Sequence, residues 1–317
     1  MVTETRRGAL PVLGTCARWT RLAWRPLVIA ALGTLMSSVT AAELLVTMPQ
    51  VREPYRSVLN QIVDGLERTA SVRLVVLDEA ALARTGAVLP QGERVVIALG
   101  ISAVKASSPL RNQLPVAVGA ILTPDGHPPL PGISLEADPD LLFARLRLLR
   151  PNIRTVYWLY RPVRNGWLLD HAEEAAHAHD LELIAIATEN ARTAAQRYQE
   201  ILNRVDSSIE AVWLTQDPAL LSVDSALPDI LNRAWTKNIV VFSGSVQHVA
   251  HGVLFALFPD NVAMGEDLAQ LALAHADGET VTFTPNRSLR SAINRRTAEH
   301  LGITVDARDY DLVLPAR

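Results

Sequence analysis

Gly100-Ile101-Ser102 is the segment of this sequence whose residue types best suit the capture of an anion. It follows an apolar run at 94–99 and precedes a helical pattern, so it reads as the turn from a strand into a helix. At such a turn glycine permits close backbone approach, the free N–H groups and dipole of the first helical turn favour negative charge, and Ser102 adds a hydroxyl. The same residues also make an ordinary turn with a serine cap, and the spacing does not separate the two uses. Arg161, after the run at 154–160, could grip a carboxylate with both prongs of its guanidinium. A loop arginine standing in solvent is the plain alternative.

Other chemistries lack their residues. Gly100-Ile101-Ser102-Ala103-Val104 ends one glycine short of the G-x-S-x-G nucleophile elbow, and Ser243-Gly244-Ser245 does not match it either. There is no glycine-rich phosphate loop carrying Lys-Ser/Thr, and the first strand is not followed by G-x-G-x-x-G. His171 and His179 would lie about 12 Å apart along a helix, with His177 pointing elsewhere. His248 and His251 are three residues apart without the carboxylate pattern of a zinc site. The one cysteine, Cys16, excludes a disulfide framework and a thiolate cluster. No catalytic residue, metal site or cofactor is expected.

The elements that must position these residues form two successive series of short β-branched runs and amphipathic helices, the pattern of open parallel sheets. The first series has strands at 44–48, 72–77, 94–99 and 116–121. Its first helix carries Tyr55, Val58, Leu59, Ile62, Val63 and Leu66 on one face. Four prolines within 123–132 read as a stiff crossing between lobes. The second series opens on a helix capped by Asp138 with Pro139 behind it. Strands follow at 154–160, 181–187, 209–214, 239–242 and 253–258, with helices near 166–179, 191–205 and 218–235. Asp260 then caps a further helix, and the tail holds a strand near 281–284 and a short helix at 293–301. The fold expected is α/β, with two Rossmann-like lobes on parallel sheets.

Ligands of open α/β sheets sit beyond the carboxyl ends of the strands, so two such sheets facing one another define a single cleft. The candidate binding residues by this geometry are Gln50, Tyr55, Gly100, Ile101, Ser102 and Thr123 from the first lobe. From the second they are Tyr160, Arg161, Asn165, Thr215, Gln216, Asp217, Ser243 and Ser245.

The whole chain has 317 residues, 49% hydrophobic and 20% charged, with a net charge of −3, enough to bury full cores and without the basic excess of a nucleic-acid binder. Residues 1–42 read as a cleavable export signal. Arg6, Arg7, Arg18, Arg21 and Arg25 face only Glu4, an apolar run covers 27–36, and small residues end at Ala41-Ala42. The apolar run is short for a membrane span, which takes about 20 residues. Retention as an anchor is the minor alternative. Removing five Arg and one Glu shifts the net charge from −3 to −7 and leaves no cysteine, which suits an oxidising, periplasmic location.

In order and spacing, several stretches resemble ABC-transporter substrate-binding proteins of the uncharacterised, tryptophan-binding-like branch of the type I periplasmic binding protein fold. They are residues 96–106, 114–119, 132–135, 253–260 with Gly265, and 294–303. The resemblance spans nearly all of 44–305. It implies three inter-lobe crossings, here near 123–131, 258–260 and 278–281. The first lobe would then be 43–123 plus 260–279, and the second 124–259 plus 280–317. It implies closure on a small molecule, amino-acid-like or carboxylate-bearing, which is passed to an ABC permease in the inner membrane. The helix start at 100–103 would hold a ligand carboxylate, and Thr215, Gln216 and Asp217 would face the ligand. Where many members end a loop in an acid, Ser243-Gly244-Ser245 has none. The first loop, 49–55, also lacks the usual texture, which argues against an aromatic amino acid. A periplasmic sensor or adaptor on the same fold is the alternative, favoured by a cleft filled with the protein's own side chains. An enzyme would be marked by a buried acid or histidine in a perturbed environment within the cleft.

Overall fold

In the computed structural model the apolar runs of the first series pair in parallel; β1, β3 and β4 are buried on both faces, and β2, at the sheet edge, is partly exposed. The structure describes residues 42–82, 88, 90–124 and 129–315, so the expected export signal lies, all but Ala42, outside the described residues. The elements in order are β1 (Leu44–Pro49), α1 (Tyr55–Thr69), β2 (Val72–Leu77), α2 (Glu79–Leu82), β3 (Val95–Leu99), α3 (Ile101–Ala106), β4 (Val116–Ile121) and β5 (Gly132–Ala137). Next come α4 (Pro139–Leu149), β6 (Thr155–Tyr160), α5 (Pro162–Asn165), α6 (Leu169–Ala178), β7 (Glu182–Ala187), α7 (Ala191–Arg204), β8 (Glu210–Leu214) and α8 (Ala226–Thr236). The chain ends with β9 (Val240–Ser243), α9 (Val246–His251), β10 (Phe255–Pro259), α10 (Asn261–Ala276), β11 (Phe283–Asn286), β12 (Leu289–Asn294), α11 (Arg295–His300) and β13 (Leu312–Leu314).

Two sheets result. The first has the order β11-β5-β4-β3-β1-β2 and is parallel throughout. The second runs β13-β12-β10-β9-β8-β6-β7, parallel except where β10 meets β12. Register builds the second core: Trp158, Trp213, Phe242 and Phe255 are direct partners on β6, β8, β9 and β10. They form one row of stacked rings, with centroids 4.6, 6.4 and 5.2 Å apart. In the first core α10 returns from the second series to pack beside α1. A Cβ on Gly65 would stand 2.0 Å from the Val262 carbonyl oxygen, and one on Gly265 2.1 Å from that of Ile62. Two missing side chains therefore let the helices touch backbone to backbone.

The crossings differ from the sequence reading in two of three places. β5 pairs with β4, so the proline-rich segment returns the chain to the same sheet, and the first crossing comes after β5, at Asp138. Prolines bar regular structure but do not decide which sheet the next strand joins. The second crossing, from β10 into α10, falls at Pro259–Asp260. The third lies between β11 and β12, because Phe283 buries in the first core and holds β11 against β5. Thus β5 and β11, expected in the second lobe, belong to the first sheet. In addition, α8 begins at Ala226 and not at 218, since Asp217 and the residues after it turn back on themselves. The segment 293–301 splits into the end of β12 and α11.

Candidate functional site

The alternation along β5 sorts its side chains. Ile133 and Leu135 face the α1/α10 core, and Ser134 and Glu136 take the opposite face. Ser134 donates to the carbonyl oxygens of Ile121 and Leu122 (3.3 and 3.2 Å) and accepts the Glu136 N–H (3.0 Å), which fixes the end of the strand. Glu136 is 5% exposed. Its Oε2 accepts from Gln216 Nε2 (2.8 Å) and its Oε1 from Asn165 Nδ2 (3.2 Å), both amides arriving from the second lobe. Burial pushes the carboxyl up to about 7, opposed by the Gln216 hydrogen bond and the Arg164 charge and reinforced by Asp217.

Gln216 reaches Glu136 past Gly244, where a Cβ would stand 2.5 Å from Nε2. Asn165 is buried, and its Oδ1 has no partner among the described residues. Beside this knot Arg161 meets Asp217 in a two-pronged pair, Nε to Oδ2 at 2.7 Å and Nη2 to Oδ1 at 3.1 Å. Thr215 Oγ1 accepts the Asp217 N–H at 3.2 Å, and Asp217 Oδ1 accepts that of Ala219 at 2.9 Å. Two further contacts tie the lobes: Thr123 donates to the Arg164 carbonyl oxygen (2.9 Å), and Trp167 packs edge-on against Phe283 (4.9 Å).

Above the Gln216 amide lies a cleft of about 880 Å³. Val58 and Gln61 of α1 and the first turns of α10 form one wall, and Gly244 to Gln247 form the facing one. Leu122, Leu135, Gln216 and Phe258 also line it, so both lobes contribute. Its charged rim is largely paired. Arg68 meets Glu266 at 3.2 Å, Arg290 meets Asp311 at 3.4 Å, and Asp260 caps α10 through the Ala263 N–H at 3.1 Å.

Of the residues expected by strand-end geometry, Gln216 and Ser245 line this cleft, while Asn165, Arg161, Thr215 and Asp217 do not line it and are engaged in hydrogen bonds with one another's loops and with Glu136. Arg161 does grip a carboxylate with both prongs, and the carboxylate is that of Asp217. Tyr160 stacks on Trp158 at 5.0 Å, packed against the second core. Ser243 is fully buried, its Oγ 2.8 Å from His248 Nδ1. Gln50, Tyr55, Ile101 and Ser102 are exposed and, like Gly100, are not among the residues lining this cleft. Sequence reasoning missed Glu136, Val58, Gln61 and the start of α10. The alternation Ile133-Ser134-Leu135-Glu136 was a signal for a strand carrying a polar face, and it placed an acid two residues before the crossing at Asp138.

Two groups meet the description of a buried acid or histidine in a perturbed environment. His248 is 4% exposed, and burial, reinforced by His251, holds its pKa down at about 4. Its partner Ser243 is sealed from the cleft, so no substrate carbonyl reaches that hydroxyl. Both oxygens of Glu136 are engaged by amides. Neither group forms a nucleophile and base open to a ligand.

No protein-family model matches the chain, and no curated protein sequence does. Solved structures match its fold. One is the ABC domain in complex with L-Trp from Streptococcus pneumonia, 16% identical, covering 86% of this chain and 100% of that one at a TM-score of 0.54. A conserved domain protein from Vibrio cholerae is also 16% identical, covering 86% and 99% at 0.52. The ligand-free, open structure of a substrate-binding protein with adhesive properties from Clostridium difficile is 13% identical, covering 87% and 100% at 0.60. At such identities the likeness is one of fold, and that fold is the two-lobed one of type I periplasmic binding proteins.

Proposed function

We propose that this chain is an exported solute-binding protein that closes its two lobes on a small molecule and delivers it to an ABC permease of the inner membrane. The observation that carries the reading is the cleft itself: about 880 Å³, walled by both lobes, and bordered by the strand connections about which the lobes can hinge. The lining mixes apolar side chains with amides, and the groups offered to a ligand come from rigid helix starts and strand ends. The type I fold of its structural neighbours, one of them bound to L-Trp, agrees with this use. In this reading residues 1–42 are removed on export and the mature protein works in the periplasm.

A ligand that binds the folded state stabilises it by about 2.7 kcal/mol at a hundredfold excess over Kd. A thermal-shift screen of amino acids, peptides and other small metabolites on the folded mature protein is therefore expected to find a stabiliser. Native mass spectrometry of freshly purified protein identifies a co-purified one. Failure of both sinks the reading.

The sensor or adaptor reading has one observation in its favour. Arg161 with Asp217, and Gln216 and Asn165 with Glu136, satisfy one another and leave fewer free groups for a solute. A partner protein captured by the closed form, together with the absence of any small ligand, would select it.

A further inference from the structure

The solute-binding reading leaves open what kind of molecule the cleft accepts, and the orientation of one amide bears on it. In its ionised form Glu136 only accepts hydrogen bonds, so Gln216 turns Nε2 toward it, as the 2.8 Å contact has it, and Oε1 is left free of Glu136 on a side chain that lines the cleft. Gly244 leaves the amide the room for that contact. An acceptor backed by an anion in a poorly solvated place is polarised by it and carries more negative charge than an ordinary amide oxygen.

The local charge balance points the same way. The Arg161 and Asp217 charges cancel, and the rim pairs Arg68 with Glu266 and Arg290 with Asp311. Among the described residues Glu136 forms no ion pair, and its two hydrogen-bond donors are neutral amides. The charged groups that act on it are Arg164 of α5, with opposite sign, and Asp217 after β8, with the same sign. Next to it the buried Asn165 Oδ1 is a second acceptor with no described donor. A buried carboxylate without a cation is costly, and a positive group brought to the cleft recovers part of that cost.

Resting on the solute-binding reading, we propose that the cleft selects a small cation of the alkylammonium or amidinium class, whose N–H groups donate to Gln216 Oε1 with Glu136 as the anion behind it. The anchoring charge then comes from the first lobe and the contacting atom from the second, so the ligand's positive end closes a line of hydrogen bonds that already spans the hinge.

The experiment is a thermal-shift and calorimetric comparison of the mature protein with putrescine, agmatine and arginine, against succinate and 1,4-butanediol as anionic and neutral controls. The cations are expected to raise Tm and the controls to leave it unchanged. Glu136→Gln keeps the shape and removes the charge, and Gln216→Met removes the contacting acceptor and keeps Glu136. Each is expected to weaken cation binding about tenfold or more, the worth of a charge-assisted hydrogen bond, with circular dichroism reporting an intact fold. In the wild type, cation affinity falls as pH drops from 8 to 6, and in Glu136→Gln it does not. Cations that fail to stabilise the wild type, or that bind both variants as tightly, overturn the proposal. If succinate or the diol stabilises the protein and the cations do not, cation selection falls and solute binding stands. If the broad solute screen and native mass spectrometry are also empty, solute binding falls with it.

Discussion

Arg161 and Asp217 join through two parallel hydrogen bonds, 2.7 and 3.1 Å, at the point where the loops after β6 and β8 meet. Asp217 is almost wholly buried and about a quarter of the Arg161 side chain remains exposed. The pair therefore fixes these two loops to each other, next to the Gln216 that lines the cleft. Replacing Arg161 with Met strands a buried carboxylate, and the expected loss is about 3 kcal/mol, the low end for a broken buried pair because part of the guanidinium is in water. Urea denaturation at neutral pH measures it. A loss under half that figure would show that Asp217 finds another partner or water.

Glu136 makes stability fall as pH rises. Its folded pKa of about 7 lies above the ordinary carboxyl value of 4.5, so the folded state binds the proton more tightly than the unfolded chain does. The contribution is complete below 4.5 and is lost between there and 7, for a total of about 3 kcal/mol at 1.36 kcal/mol per unit. Glu136→Gln is expected to be more stable than wild type at pH 8 and near equal to it at pH 4.5. Chemical denaturation at the two pH values compares them. A variant destabilised equally at both would mean that the carboxyl is needed for its hydrogen bonds alone.

His248 works in the opposite direction. Burial lowers its pKa from 6.5 to about 4, so the folded state prefers the neutral ring. Its contribution is present above 6.5 and is lost as pH falls toward 4, again about 3 kcal/mol when complete. Because the two windows overlap, the wild-type profile hides both effects. The difference between wild type and His248→Asn isolates the histidine, and it should shrink steadily from pH 7 to pH 4. A difference independent of pH would contradict a buried neutral ring.

The contact of α1 with α10 has no room for a methyl group. Gly265→Ala would put a Cβ against the Ile62 carbonyl oxygen and the Gly65 backbone, both immobile, so the helices must separate. The expected cost is about 3 kcal/mol, the upper part of the range for overpacking. Since α10 also walls the cleft, ligand affinity should weaken in the same variant. Calorimetric Tm and ligand titration give the two readings. A stable Gly265→Ala protein with unchanged affinity would show that the helices shift without disturbing the cleft.

How far the sequence reached can be seen from particular elements. β1, β3 and β4 are bounded almost as their apolar runs are, because a strand buried on both faces leaves an unbroken hydrophobic signature. α7 and α10 start where Asn190 and Asp260 cap them. β5 escaped that reading because its alternation is short and interrupted by Ser134 and Glu136, and β12 because it shares residues with a helical pattern. At the site, strand-end geometry named Arg161, Thr215, Gln216 and Asp217 among fourteen candidates, and the structure joins Arg161 to Asp217. It could not show that Arg161 would spend its prongs on Asp217, since nothing in the spacing of 56 positions reveals which two loops touch.

The sequence by itself determined the class of the fold, the order of most of its elements and the short list of polar groups at strand ends, all of which follow from local periodicity and chain punctuation. Which sheet each connecting strand joins, and which acid lies buried beneath the cleft, was decided by tertiary structure alone. Pairing of β5 with β4 and β11, and the approach of Gln216 past Gly244 to Glu136, depend on contacts between segments tens of residues apart. Such contacts are settled by packing and desolvation of the whole molecule, and no local window of the chain contains them.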